Sequence, residues 1–221
     1  RLVLFGADPL KIEVVYPAVD TSRFFPQEEE EKEVFLTQKN LQGYRVFLSA
    51  GRIVERKGHD QVLRALGRVI QDFPDALYLI AGSGPSEEKL QTLAGELGVQ
   101  KAVRFLGRVS DEDLNHYYNA CEFLIMPSRE IPEEGHLEGF GIVYLEANAC
   151  AKPVIGGKSG GVGEAIRDGE TGFLVDPDSP DEIAEKILEL LRDPEKASRM
   201  GEEGLRRVRA GFDWEDYVRR A

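Results

Sequence analysis

The chain has little cysteine, no long apolar run and no surplus of positive charge. Its two cysteines, Cys121 and Cys150, sit in apolar segments without a short metal-ligand spacing. That argues against a disulfide scaffold or a zinc site and points to a reducing, cytoplasmic setting. No apolar stretch approaches the roughly 18 residues of a membrane-crossing helix, and no leader pattern stands at the front. A formal charge of −12, from 28 basic and 40 acidic residues, disfavours sequence-independent nucleic-acid binding, which needs a basic face to neutralise phosphates. An initiating methionine is lacking too: the sequence starts at Arg1 inside the run Arg1-Leu2-Val3-Leu4-Phe5, which predicts a fragment or a processed product.

With 42% hydrophobic and 31% charged residues over 221 positions, the chain can bury one sizeable core. Short runs rich in Val, Ile, Leu and Phe occupy 46–50, 77–81, 103–106, 123–126, 154–155 and 173–175 and read as strands buried on both faces. Between them lie amphipathic stretches of helical period. Residues 60–73 carry Val62, Leu63, Leu66, Val69 and Ile70 on one stripe with Asp60 placed to cap it, and 86–97 and 110–120 follow the same rule, the last opening on Ser110 and Asp113. The alternation predicts an α/β fold with a Rossmann-like, doubly wound parallel sheet. Residues 1–43 read as an interdomain segment with a first strand at 12–16 and a solvated acidic loop at 28–33. Residues 44–209 form the domain, and Phe212-Asp213-Trp214 opens a terminal helix over 210–221.

Three loops carry candidate chemistry. Gly51-Arg52-Ile53-Val54-Glu55-Arg56-Lys57-Gly58 follows the first core strand, where ligands of open α/β sheets bind. Arg52 can fork onto two phosphate oxygens and Lys57 supplies a compact charge, a pair suited to a diphosphate or simply to a solvated loop. Glu138-Gly139-Phe140-Gly141-Ile142-Val143-Tyr144-Leu145-Glu146 places two carboxylates about a helix N-terminus. They suit the hydroxyls of a sugar (Glu138) and of a ribose (Glu146), or a surface charge and a helix-dipole partner. The run 156–164 is glycine-rich but fails as a P-loop, because Lys152 stands where that motif needs glycine. Its glycines read as turn residues more readily than as ligand contacts. No Gly-x-Gly-x-x-Gly occurs, so a dinucleotide dehydrogenase is disfavoured. His59, His116 and His136 sit in no metal spacing and read as surface or supporting residues.

Taken in order, Gly51-Arg52 with Lys57-Gly58, Gly82-Ser83-Gly84-Pro85, Pro127-Ser128, the Glu138…Glu146 pair, Pro153-Val154, Gly160-Gly161 and Gly169 to Val175 resemble the donor-binding domain of retaining glycosyltransferase family four, one half of a two-domain GT-B architecture. With the approach 127–138, the set is similar to mannosyltransferases acting on phosphatidylinositol mannosides. The resemblance implies that Arg52 and Lys57 hold the donor diphosphate and that Glu138 binds the transferred sugar. Amides of Phe140, Gly141 and Ile142 would add contacts to sugar or phosphate. It further implies that Glu146 binds the ribose, that Gly51 contacts the substrate, and that the base lies near Arg108 and Val109. The substrate is then a nucleoside-diphosphate sugar, GDP-mannose or a UDP-sugar, transferred with retention and with neither metal nor cofactor. The acceptor domain should precede residue 1. Its absence predicts a fragment that binds donor but transfers poorly, and would put any peripheral contact with the inner membrane face on the missing half. The alternatives are a nucleotide-sugar epimerase of GT-B fold and a non-catalytic nucleotide-binding module.

Overall fold

The computed structural model describes residues 5–6, 8–12, 14–131, 138–214 and 217–218. Six strands, β1 (Arg45–Ala50), β2 (Ala76–Ala81), β3 (Val103–Gly107), β4 (Phe123–Met126), β5 (Val154–Gly157) and β6 (Gly172–Val175), form one parallel sheet in the order β3-β2-β1-β4-β5-β6. Each predicted run supplied one strand. The order reverses between β1 and β4, so the chain leaving their carboxyl ends diverges and leaves a crevice there.

Helices cover both faces. Successive side chains of a strand point to opposite faces, so Phe47 faces one core while Val46 and Leu48 face the other. On the first face lie α2 (His59–Asp72), α3 (Glu87–Glu96) and α7 (Pro180–Arg192). The stripe Val62, Leu63, Leu66 and Val69 of α2 is fully buried. Phe47 stacks between Tyr78 and Phe123 with ring centroids 5.3 and 5.1 Å away. On the second face lie α1 (Glu29–Gln38), α4 (Asp111–Ala120) and α5 (Ile142–Ala149), with the short α6 (Val162–Ala165). The last long helix, α8 (Pro194–Gly211), starts in the first core with Ala197 and Met200 and ends in the second with Val208. Among the described residues no helix is long and apolar enough to cross a membrane.

Four local expectations fare differently. Ser110 caps α4 as its sequence predicts, accepting from the Asp113 amide at 3.1 Å. Asp60 does not cap α2: the helix starts one residue earlier behind Gly58, which has φ +73 and no side chain to donate or accept, and Asp60 turns to Arg129 instead. The acidic run is no loop but the first turn of α1, where carboxylates favour the positive end of the helix dipole. One turn later the buried Phe35 anchors it between His116 and Tyr117. The strand expected at 12–16 is not formed at its described residues. The incoming segment instead makes one isolated bridge, Val19 with Asp213. Apolar character at Val14 and Val15 is spent at the surface. Trp214, Tyr217 and Val218 are helical, with the Tyr217 amide donating to the Asp213 carbonyl at 3.1 Å.

Candidate functional site

At the carboxyl edge of the sheet, Gly51 follows β1 with φ +143 and Gly82 follows β2 with φ +141. These values suit glycine alone. The two backbones touch: a Cβ on Gly82 would lie 1.8 Å from the Gly51 carbonyl oxygen. The bare backbones floor a cavity of 280 Å³ that Arg108, Val109, Val143 and Glu146 also line. Four residues singled out from sequence, Gly51, Arg108, Val109 and Glu146, therefore meet in one place.

Glu146 points its Oε2 at the Tyr118 hydroxyl, which donates to it at 2.7 Å. Burial pushes the Glu146 carboxyl up from its ordinary range, and Tyr118 and Arg23 offset part of that. Glu138 has the opposite balance. It is buried, and its Oε2 accepts from Lys57 Nζ at 2.5 Å, Arg56 Nη1 at 3.0 Å and Ser128 Oγ at 3.2 Å. Burial alone would raise its pKa, but Lys57, Arg56 and Ser128 together outweigh it and hold the carboxyl below the ordinary carboxylate range.

Lys57 reaches Glu138 because the 3-10 turn Glu55–Lys57 ends on Gly58, packed so closely on the exit of β4 that a Cβ there would meet the Pro127 carbonyl oxygen at 2.1 Å. The Arg129 amide pins the same turn by donating to the Arg56 carbonyl at 2.8 Å. Arg52 behaves otherwise. It is exposed and has no ion pair among the described residues, so the two cations expected to act together are differently placed. Lys57 is already engaged by a carboxylate and Arg52 is not.

Gly141, with φ +84, stands at the N-cap of α5, and Ile142 opens the helix half-exposed. The Phe140, Gly141 and Ile142 amides meet no acceptor among the described residues, as helix starts leave their first amides without intrahelical partners. The Phe140 ring packs on Tyr16 at 5.5 Å and Phe212 at 5.9 Å. Within the glycine-rich run the turn reading holds at Gly160 and Gly161 alone, because Gly156 and Gly157 belong to β5 and Gly163 to α6. The Gly161 amide donates to the Glu138 carbonyl at 2.9 Å, and a Cβ on Gly161 would lie 2.0 Å from the Gly139 carbonyl oxygen. Its glycines let two loops stack backbone to backbone.

Arg56, Arg129 and Tyr118 are the neighbours that sequence reasoning did not single out, and Ser128 entered it only as part of the Pro127-Ser128 pair. The guanidinium of Arg129 meets Asp60 at 3.1 Å. Arg56 lies beside Lys57 in the chain, so its signal was adjacency alone, and Tyr118 looked like ordinary core. Two Asp-x-Asp tripeptides lie elsewhere. Asp111 and Asp113 pair with Arg23 and Lys39, and Asp176 and Asp178 form the turn before α7. A larger cleft of 650 Å³ between α2 and α3, lined in part by Arg64, Lys89 and Arg129, contains neither glutamate.

Of the histidines, His116 contacts Gln27 at 2.8 Å and stacks on Phe35, while His136 lies outside the described residues. His59 is not at the surface. It is buried, with Nδ1 2.9 Å from the Tyr78 hydroxyl, and burial, helped by Lys57, pushes its pKa down to about 4. The folded value lies below the unfolded one, so the contribution is complete above about pH 6.5 and lost as pH falls toward 4. It amounts to about 3 kcal/mol. Urea unfolding at pH 7, 5.5 and 4.5 is expected to show that slope, and His59→Gln to flatten it.

A family model described as "Glycosyl transferases group 1" matches residues 29–207. The chain belongs to this family. Among curated relatives, a GDP-mannose-dependent monoacylated alpha-(1-6)-phosphatidylinositol monomannoside mannosyltransferase of Corynebacterium glutamicum is 39% identical over 215 residues, covering 96% of this chain and 55% of the relative. The chain thus spans about half the length of the curated relatives it matches. Among solved structures, the Anabaena protein Alr3699/HepE, in complex with UDP and glucose, superposes with a TM-score of 0.86 at 23% identity, over 99% of this chain and 57% of that one. The C-terminal domain of LpcC, a group 1 protein of Francisella tularensis, superposes with a TM-score of 0.78 at 26% identity, over 89% of this chain and 99% of that one. The group 1 chain therefore carries a Rossmann-like α/β fold whose neighbours are glycosyltransferases of GT-B architecture.

Proposed function

We propose that this chain is the donor-binding half of a retaining, metal-independent glycosyltransferase that takes a sugar from a nucleoside-diphosphate sugar, GDP-mannose or a UDP-sugar. The observation that carries the reading is the convergence of Glu146, Arg108 and Val109 on one glycine-floored cavity at the switch point of the sheet, with the Lys57–Glu138 pair held at the neighbouring loops. The names of the curated relatives favour GDP-mannose among the donors.

In this reading the base lies along Arg108 and Val109, and Glu146 accepts from ribose hydroxyls. Arg52 and Lys57 hold the diphosphate. As the bond from the sugar to the diphosphate breaks, negative charge grows on the leaving oxygen, and fixed cations in a water-poor crevice stabilise it more than water would. Glu138, kept ionised by its cations, accepts from hydroxyls of the transferred sugar, and the amides of Phe140, Gly141 and Ile142 supply further donors. The acceptor is held by a second half, which also closes the crevice. A fragment without that closure gains little from proximity and water exclusion and transfers poorly.

Calorimetric titration of the chain with GDP, UDP, ADP and their sugar conjugates, without added metal, tests this. Selective binding of one diphosphate is expected, and Arg52→Ala is expected to weaken it roughly tenfold while leaving the melting temperature unchanged, because Arg52 is exposed and makes no ion pair among the described residues. Affinity untouched by both Arg52→Ala and Lys57→Ala would replace the diphosphate clamp with a non-catalytic nucleotide-binding role.

A further inference from the structure

Glu146 offers the cavity one of its two carboxylate oxygens. Its Oε2 is taken by the Tyr118 hydroxyl. Its Oε1 has no protein donor among the described residues and is not among the buried unpartnered atoms, so it stays open to the cavity that Glu146 lines. An oxygen with two lone pairs can accept from two vicinal hydroxyls. Tyr118 is itself immobilised. It lies on α4 with no exposed surface, its ring edge-on to Phe24 with centroids 5.6 Å apart. Burial and the neighbouring carboxylate push its pKa well above the ordinary value, so the hydroxyl stays a donor throughout the physiological range.

We propose that Tyr118 is a positioning residue of the nucleotide subsite, fixing the Glu146 carboxylate so that Oε1 meets the ribose diol. The proposal rests on the donor-site reading above. A buried phenol costs conformational freedom at Glu146 before the ligand arrives, which lowers the cost of ordering that side chain on binding. It also favours the ionised carboxylate over the acid. Around Glu146, burial and Asp111 favour the protonated acid, while Tyr118 and Arg23 favour the anion. Arg108 lines the cavity from the loop after β3, and Cys150 lies one turn on along α5 with a thiol whose pKa burial raises, leaving it neutral. Without the Tyr118 hydroxyl, the carboxyl protonates at higher pH and stops accepting two hydroxyls.

The test is calorimetry of wild type and Tyr118→Phe with GDP and UDP and with their 2′,3′-dideoxy analogues, from pH 5 to 8. Tyr118→Phe keeps the ring and its packing. It is expected to weaken the ribonucleotide about tenfold, as loss of a hydrogen bond to a charged group does, to leave the dideoxy analogue unchanged, and to shift the acid-side loss of affinity to higher pH. Glu146→Gln is expected to abolish the part of that acid-side loss that the dideoxy analogue does not share, since the terminal phosphate titrates in both, and adding Tyr118→Phe to it should cost less than it costs wild type. Equal weakening toward both sugars, an unmoved pH profile, or full additivity of the two changes would reduce Tyr118 to a packing residue. If Tyr118→Phe does not fold, an acid-side loss specific to the ribonucleotide that survives in Glu146→Gln overturns the proposal. Wild type binding neither nucleotide would remove the donor-site reading and this proposal with it.

Discussion

Gly82→Ala is expected to destabilise the domain by about 2–6 kcal/mol, the sum of a strained backbone and an overpacked contact. The residue has φ +141, and its Cβ would stand 1.8 Å from a backbone oxygen of Gly51. No rotamer can relieve that contact, because both atoms are fixed by the ends of β1 and β2: the Gly51 amide donates to the Ala81 carbonyl at 2.9 Å and the Gly82 amide to the Gly107 carbonyl at 2.7 Å. Gly67→Ala supplies the control of opposite sign. Gly67 lies inside α2, and an added methyl group there would have nothing within 4 Å, so alanine should stabilise by up to about 1 kcal/mol through helix propensity. Urea denaturation of both variants at neutral pH measures the difference. A Gly82→Ala protein as stable as wild type would mean that the crevice floor yields.

Lys57→Met is expected to cost about 3 kcal/mol, at the low end of the roughly 3–5 kcal/mol for breaking a buried ion pair. The low end applies because Arg56 and Ser128 remain on the Glu138 carboxylate. Lys57→Met with Glu138→Leu should recover most of the loss, since the unpaired buried charge disappears along with its partner. The pH dependence has a definite sign. Glu138 is held below its ordinary range in the fold, so its contribution is complete above the unfolded carboxyl value near about 4.3 and is lost as pH falls through the lower folded value. Lys57→Met should weaken that acid-side loss. Additive costs in the double variant would place the role of Lys57 elsewhere than on Glu138.

The sheet was legible because burial on both faces writes strands as unbroken apolar runs, and each run became a strand. The pairing of Lys57 with Glu138 was not. Two residues 81 positions apart meet through the tight contact of Gly58 with Pro127, and sequence records the glycine but not what it touches. Arg56 was passed over for Arg52 because neighbouring cations in a short loop point in directions that only the turn decides. Tyr118 was hidden for a different reason: an aromatic at helical spacing carries the same pattern whether its hydroxyl is idle or employed. At the front of the chain, acidic composition suggested a loop, yet Phe35 and Leu36 pack it as a helix on the second core, with its carboxylates in the first turn. The glycine run was read correctly only in part: Gly160 and Gly161 turn the chain, whereas Gly156 and Gly157 extend β5, where a Cβ on Gly157 would meet the Ser128 carbonyl oxygen at 2.2 Å.

The ring cluster of Tyr16, Phe140 and Phe212 bears on how such a domain can be transplanted. Tyr16 comes from the incoming segment, Phe212 from the end of α8, and Phe140 from the loop beside Glu138. Arg207 lies over the Phe212 ring at 4.7 Å, and the Tyr16 hydroxyl donates to Glu164 at 2.8 Å. A graft cut at residues 44 and 209 would carry Phe140 and leave both of its ring partners behind. Chimeras between relatives should therefore exchange the stretch from Tyr16 to Phe212 as one cassette, because a seam drawn inside it separates the loop that carries Glu138 from the rings that brace it.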